Sequence, residues 1–157
     1  MDMQPPKKLN EVQRLNGRLN ALGHFISFSA KRCMPFYKAM KKDHKFSWDE
    51  ACQEAFDEIK KFLSRPPLLS PPQQHEVLYL YLAATDEAVG TVLIREDGKD
   101  QYPVYYTSKV LRNAEIRYPK LEKLALALIH ASNRLRPYFQ AHTIVVRTSY
   151  PLKKVLQ

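Results

Sequence analysis

Arg14 and Arg18 stand four residues apart, one turn of a helix, and Lys38, Lys41, Lys42 and Lys45 follow shortly after. Cations at such spacing suit a phosphate backbone, a contact that is salt-sensitive and independent of base sequence. Lys109, after a predicted strand, could meet a phosphate too. The other reactive residue types carry no pattern. Cys33 and Cys52 have no paired-Cys or Cys/His spacing around them, which excludes a zinc site and a disulfide framework and reads as small core residues in a reducing compartment. His24, His44, His75, His130 and His142 share no ligand spacing. Tyr105, Tyr106, Tyr118 and Tyr138 read as packing residues rather than base-stacking platforms.

The bulk composition agrees with a folded, basic protein. The chain has 157 residues, 45% hydrophobic and 26% charged, with a net charge of +9. Thirteen basic and eight acidic residues lie up to Arg65, and twelve and eight beyond it, so the charge is no basic tail. A surface for polyanions is favoured over a merely soluble one. No apolar run approaches the roughly 20 residues of a membrane helix, and MDMQPPKKLNE lacks a signal-peptide core. The expectation is a cytoplasmic or nuclear protein, not secreted, with no membrane partner.

The elements that must position these residues change period along the chain. Val12, Leu15, Leu19, Leu22 and Ile26 mark one helix face over 10–26, with Asn10 as cap and a weak point at Gly23. A short helix is expected over 29–40, with Pro35 at an entry or kink. Ser47–Ser64 reads as the clearest helix, with Ser47 and Glu50 as a capping box. Its stripe of Trp48, Cys52, Ala55, Phe56, Ile59, Phe62 and Leu63 is core. A proline-rich break then separates a helical unit, 1–65, from a second unit, 77–157, through a linker, 66–76. Strands are expected over 77–84, 88–95 and 101–108, with Glu96–Lys99 as a hairpin turn. A helix over 119–136, a strand over 143–148 and the start of a helix from Pro151 follow. The fold class is α+β: a helical segment, then a mixed sheet in β-β-β-α-β-α order.

Three stretches resemble the reverse transcriptase of gypsy-type long-terminal-repeat retrotransposons, the plant elements in particular. EVQRLNGRLNALGHFISFSAKRCMPFYKAMKK is similar to the thumb segment after the polymerase palm. FSWDEACQEAFDEIKKFLSRPPLLSPP is similar to the family's W-x-x-x-C-x-x-A-F-x-x-L-K-x-x-L-x-x-P-P-x-L signature. VLYLYLAATDEAVGTVLIRE, PVYYTSKVL and YPKLEKLALALIHASNRLRPYFQ are similar to the opening two-thirds of an RNase H domain. The resemblance runs from about Lys8 to the last residue. It implies a piece of a polyprotein, with Met1 no natural start and the closing strand and helix of the fold beyond Gln157. The implied partners are an RNA–DNA hybrid or other nucleic acid and the rest of the polyprotein.

RNase H chemistry uses two Mg²⁺ ions held by carboxylates from the first strand, first helix and fourth strand. The resemblance places those positions on Ala83, Leu124 and Ser149, with a fourth beyond Gln157. The expectation is therefore no catalytic residue, no metal ligand and no cofactor; Mg²⁺ would be expected only with an intact site. Asp86, three residues past Ala83, reads as a turn or cap residue, and Glu122 as a solvated charge near Lys123. The palm carboxylates of polymerase chemistry would lie upstream of Met1. In the family the thumb tracks the template–primer backbone, which makes Arg14, Arg18, Lys41, Lys42 and Lys109 the candidate nucleic-acid contacts. Some plant elements pair a degenerate RNase H domain with a second, active one downstream. An active RNase H in another register and a pseudogene-derived product remain the alternatives.

Overall fold

The computed structural model describes residues 3–23, 26–41, 45–65 and 68–156. The helical segment comes first. Helix α1 (Leu9–Ala21) starts after Lys8 rather than at Asn10, and its end is closed by Leu22 N–H bonding to the Arg18 and Leu19 carbonyls. It thus stops short of the expected Ile26, and Gly23 follows in the turn. Helices α2 (Ser29–Arg32) and α3 (Met34–Ala39) share the stretch expected as one helix. Pro35 sits in the first turn of α3, where its missing N–H costs nothing.

Helix α4 (Glu50–Ser64) begins three residues later than expected. Its cap is Asp49, whose carboxylate accepts the Cys52 N–H at 2.8 Å, so the capping box on Ser47 is corrected. The reason is Trp48. Its ring stacks on Phe36, centroids 5.6 Å apart, and meets Phe56 edge-on at 5.9 Å, which holds the chain before Asp49 out of the helix. Val12, Leu15, Leu19, Phe36, Phe56 and Ile59 close this core together with both cysteines. Cys33 and Cys52 are free thiols, and burial pushes Cys33 up to about 12 and Cys52 up to about 11.

The second unit is a four-stranded mixed sheet in the order β3-β2-β1-β4. Strand β1 (Leu78–Ala84) runs antiparallel to β2 (Ala88–Asp97) and parallel to β4 (Ile144–Arg147). Strand β3 (Asp100–Val110) pairs with β2 through a loop of only Gly98 and Lys99, with Gly98 at φ +63°, a value glycine adopts without penalty. Helix α5 (Lys120–Arg134) covers one face, burying Leu78, Leu80, Leu93 and Val104 with Ala131 and Leu135. Pro137 then restarts the chain as α6 (Arg136–Ala141), an element the sequence pattern did not single out. A 3₁₀ turn over Asn113–Arg117 and a last short helix, α7 (Leu152–Val155), complete the order.

The two units touch. Phe28, at φ +52°, lays its ring on β2 where Gly90 has no side chain. Ser108 on β3 accepts the Ala30 N–H at 2.8 Å and pairs with Ser29 Oγ at 2.8 Å, and Lys38 reaches Glu87 at 3.1 Å. The stretch 68–76 between the units has no regular structure, yet it is fastened: Ser70 N–H bonds the Pro103 carbonyl, Glu76 takes Arg95 at 3.1 Å, and the Glu76 carbonyl meets His142 Nδ1. Residues 66 and 67 of the expected linker lie outside the described residues.

Candidate functional site

Alternation along β1 decides where the three positions named by the resemblance fall. Leu82 and Ala84 turn towards α5, so Ala83 turns to the other face, where it borders the hollow shared with Phe28, Tyr81 and Gly90. Leu124 is 2% exposed and packs with Ala125 and Leu152, with Leu82, Ala84 and Val146 around them. Ser149 is exposed in the bend after β4. Between them the three side chains offer one hydroxyl and no carboxylate. That donor set does not fit Mg²⁺, which takes oxygen ligands and especially carboxylates.

The acids nearby are used otherwise. Asp86 is exposed in the bend between β1 and β2, and its backbone carbonyl takes the ammonium of Lys123, 7% exposed, at 3.1 Å. Thr85 Oγ1 tightens the same turn by accepting the Ala88 N–H at 3.1 Å. Glu122 is exposed on α5. Among the described residues no group of three His, Cys, Asp or Glu side chains could hold a metal ion.

The candidate phosphate contacts divide. Arg14 and Arg18 are both exposed on one face of α1, and both border a hollow with Lys7 and Glu11. Lys41 is exposed just past α3. Lys109 is different: its ammonium is held by Glu115 at 2.6 Å, and the Glu115 carboxyl is drawn below its ordinary value chiefly by that bond. No spacing or motif marks this partner, which the 3₁₀ turn brings back to the end of β3. Lys42, His24 and His44 lie outside the described residues.

On the sheet face away from α5 a polar ladder crosses all four strands. Arg147 of β4 donates to Tyr81 Oη of β1 at 3.0 Å and to the Glu96 carboxylate of β2. Gln101 of β3 donates to the same two groups, at 3.0 and 3.1 Å. The Arg147 guanidinium also lies 3.8 Å from the centroid of the Tyr79 ring. The Arg147 bond draws Glu96 below its ordinary value. The ladder satisfies its own members and anchors the four-residue edge strand β4. Its alternating pattern of Tyr79 and Tyr81 was legible as a second strand face, but not its charges.

A further polar cleft of about 360 Å³ lies where α1, β3 and α5 meet. His130 and Arg134, one turn apart on α5, face it. Burial first, then the nearby Arg134 cation, hold the His130 imidazole below its ordinary pKa.

Comparison with known proteins places this geometry. The family profile for the RNase H-like domain found in reverse transcriptase matches residues 48–146. The polyproteins of transposons Tf2-3 and Tf2-4 of Schizosaccharomyces pombe (strain 972 / ATCC 24843) are each 30% identical over 142 residues, 90% of this chain. The chain spans 11% of the length of each. Among solved structures, the foamy viral protease–reverse transcriptase dRH in complex with double-stranded DNA superposes with a TM-score of 0.78 at 19% identity. The match covers 99% of this chain and 28% of that one. The same enzyme in complex with an RNA/DNA hybrid gives 0.74 at 21% identity, over 92% and 20%. At these identities the likeness speaks to fold alone.

Proposed function

Because this chain belongs to the family of RNase H-like domains found in reverse transcriptase, we propose that it serves a reverse transcriptase as a non-catalytic nucleic-acid-binding module. In this reading the helical segment and the sheet hold an RNA–DNA hybrid or other duplex, while the polymerase and nuclease chemistry is done elsewhere in the polyprotein. The observation that carries it is Leu124. Its side chain closes an apolar cluster with Leu152, Leu82 and Val146, at the helix position the family resemblance gives to a metal-binding carboxylate. The fold is kept and the donor set is gone.

Binding is the property the surface retains. Arg14, Arg18 and Lys41 are exposed and point to a contact with backbone phosphates. That relatives of the fold have been solved on double-stranded DNA and on an RNA/DNA hybrid supports the same ligand class here. The relatives are polyproteins, which supports the rest of such a polyprotein as the module's partner. The W-x-x-x-C-x-x-A-F signature over 48–56 and the thumb-like stretch before it support the gypsy-type lineage, and the details of these motifs support a plant element. We place the module in a cytoplasmic or nuclear setting, a reading that its proposed role and the two buried free thiols support.

The test is a paired assay on the purified chain. Hybrid binding that weakens steeply with salt, without cleavage in Mg²⁺ or Mn²⁺, supports the module. Cleavage that is lost on Asp86→Asn would restore an active nuclease in another register.

A further inference from the structure

The cleft between α1, β3 and α5 has the chemistry of an anion site. None of the residues lining it is Asp or Glu. Arg134, exposed at the end of α5, brings a guanidinium with no ion pair among the described residues. Asn20 at the end of α1 has its carbonyl oxygen taken by the Tyr37 hydroxyl at 3.2 Å, which leaves its amide N–H groups to donate. Ser29 and Ser108 share one hydroxyl–hydroxyl bond of 2.8 Å, and Ser108 Oγ also accepts the Ala30 N–H. Two hydroxyl protons and one bond between them leave one proton to give away. His130 stands one turn before Arg134, its ring hydrogen-bonded to the Ser108 backbone in the wall of the cleft.

The cleft is also placed on a track. Ala21 borders it, and Ala21 lies three residues past Arg18 and seven past Arg14, on the same face of α1. The cationic stripe of the helical segment therefore runs, over roughly 10 Å of helix, into a cleft whose other wall belongs to the sheet unit. Arg134 acts on His130 against its protonation, and so, more weakly, does Lys109, whose ammonium is held by Glu115.

We propose that this cleft is a backbone clamp: it takes a phosphodiester of the bound nucleic-acid strand, with Arg134 as its cation, so that the helical segment and the sheet grip one strand together. This rests on the nucleic-acid reading above and names where, beyond Arg14 and Arg18, that strand is held. The ligand is recognised by phosphate charge and donors alone, so the clamp is indifferent to base sequence.

The experiment measures affinity for a labelled RNA–DNA hybrid by fluorescence anisotropy across a salt series, for the full chain and three variants. Arg134→Ala removes one phosphate contact. It is expected to lower the slope of log affinity against log salt by about 0.9 and to weaken binding roughly eightfold at 0.1 M salt. Arg134→Lys keeps the charge and should retain most of the slope. Ala21→Glu, an exposed position on the cleft rim, should weaken binding at least as much as Arg134→Ala while the thermal melt stays unchanged. If the unaltered chain binds steeply with salt but Arg134→Ala and Ala21→Glu leave affinity and slope untouched, the clamp is wrong and the nucleic-acid reading stands. If the unaltered chain does not bind at low salt, both fall.

Discussion

A Cβ added at Gly90 would stand 3.1 Å from Cγ of Phe28, so the ring at the head of α2 rests on bare backbone of β2. This contact, with the Ser29–Ser108 and Lys38–Glu87 bonds beside it, joins the helical segment to the sheet. Gly90→Ala must push the ring or the strand aside, and overpacking of this kind costs about 1–3 kcal/mol. The expected readout is a lowered melting temperature with the secondary structure retained by circular dichroism. An unchanged melt would show that the two units are not held through Phe28.

Leu124 gives a second test, in two steps. Leu124→Ala empties part of the cluster with Leu152 and should cost about 2–4 kcal/mol in chemical denaturation. Leu124→Glu, which puts the family's carboxylate back, loses the same packing and adds a buried acid with no partner, so it should destabilise more than the alanine. A glutamate variant as stable as the original would mean that this position still opens to solvent, as a ligand position must.

Acid should weaken the fold through three paired carboxylates. Glu76, Glu96 and Glu115 are each drawn below the ordinary 4.5, first by a side-chain bond from Arg95, Arg147 and Lys109 respectively. The unfolded chain therefore binds more protons than the native one as pH falls through 4.5, and stability rises with pH across that window. The contribution is present above 4.5 and is lost as pH drops through the depressed native values. Thermal melts from pH 7 to pH 3 should show this loss, and Glu96→Gln with Glu76→Gln should flatten it. A profile that is the same in the variant would show that these pairs carry no stability.

The sequence made most elements legible because their signals are local. The apolar stripe of α4, the two-period of β1, and Pro35 at the head of α3 each speak within a few residues. Errors arose where a distant contact decided. Trp48 belongs to the stripe, but its stacking on Phe36 moved the cap from Ser47 to Asp49. Gly98 allowed a two-residue loop, so β2 and β3 run longer than the polar turn suggested. The Lys109–Glu115 pair depends on a 3₁₀ turn that has no hydrophobic period to announce it. The cleft at Arg134 joins residues over a hundred positions apart, and nothing in either stretch alone marks it.

The ladder on the open sheet face is expected to hold β4 in place. Arg147→Ala removes the bonds to Tyr81 and Glu96 and the contact with Tyr79 at once. Hydrogen exchange should then quicken at the amides by which β4 pairs with β1, with β2 and β3 unaffected. Exchange at those amides no faster than in the original chain would deny the ladder that role.

The most direct measurement follows one labelled RNA–DNA hybrid through binding and cleavage in the same samples. The purified chain is titrated into the hybrid with Mg²⁺ across a salt series, bound fraction is read by anisotropy, and the RNA strand is then resolved on a denaturing gel. The expected result is a hybrid that is bound at low salt, released steeply as salt rises, and intact at every point. An RNA strand cut in a way that Asp86→Asn abolishes, or a hybrid that stays free at the lowest salt, would contradict a binding module without nuclease chemistry.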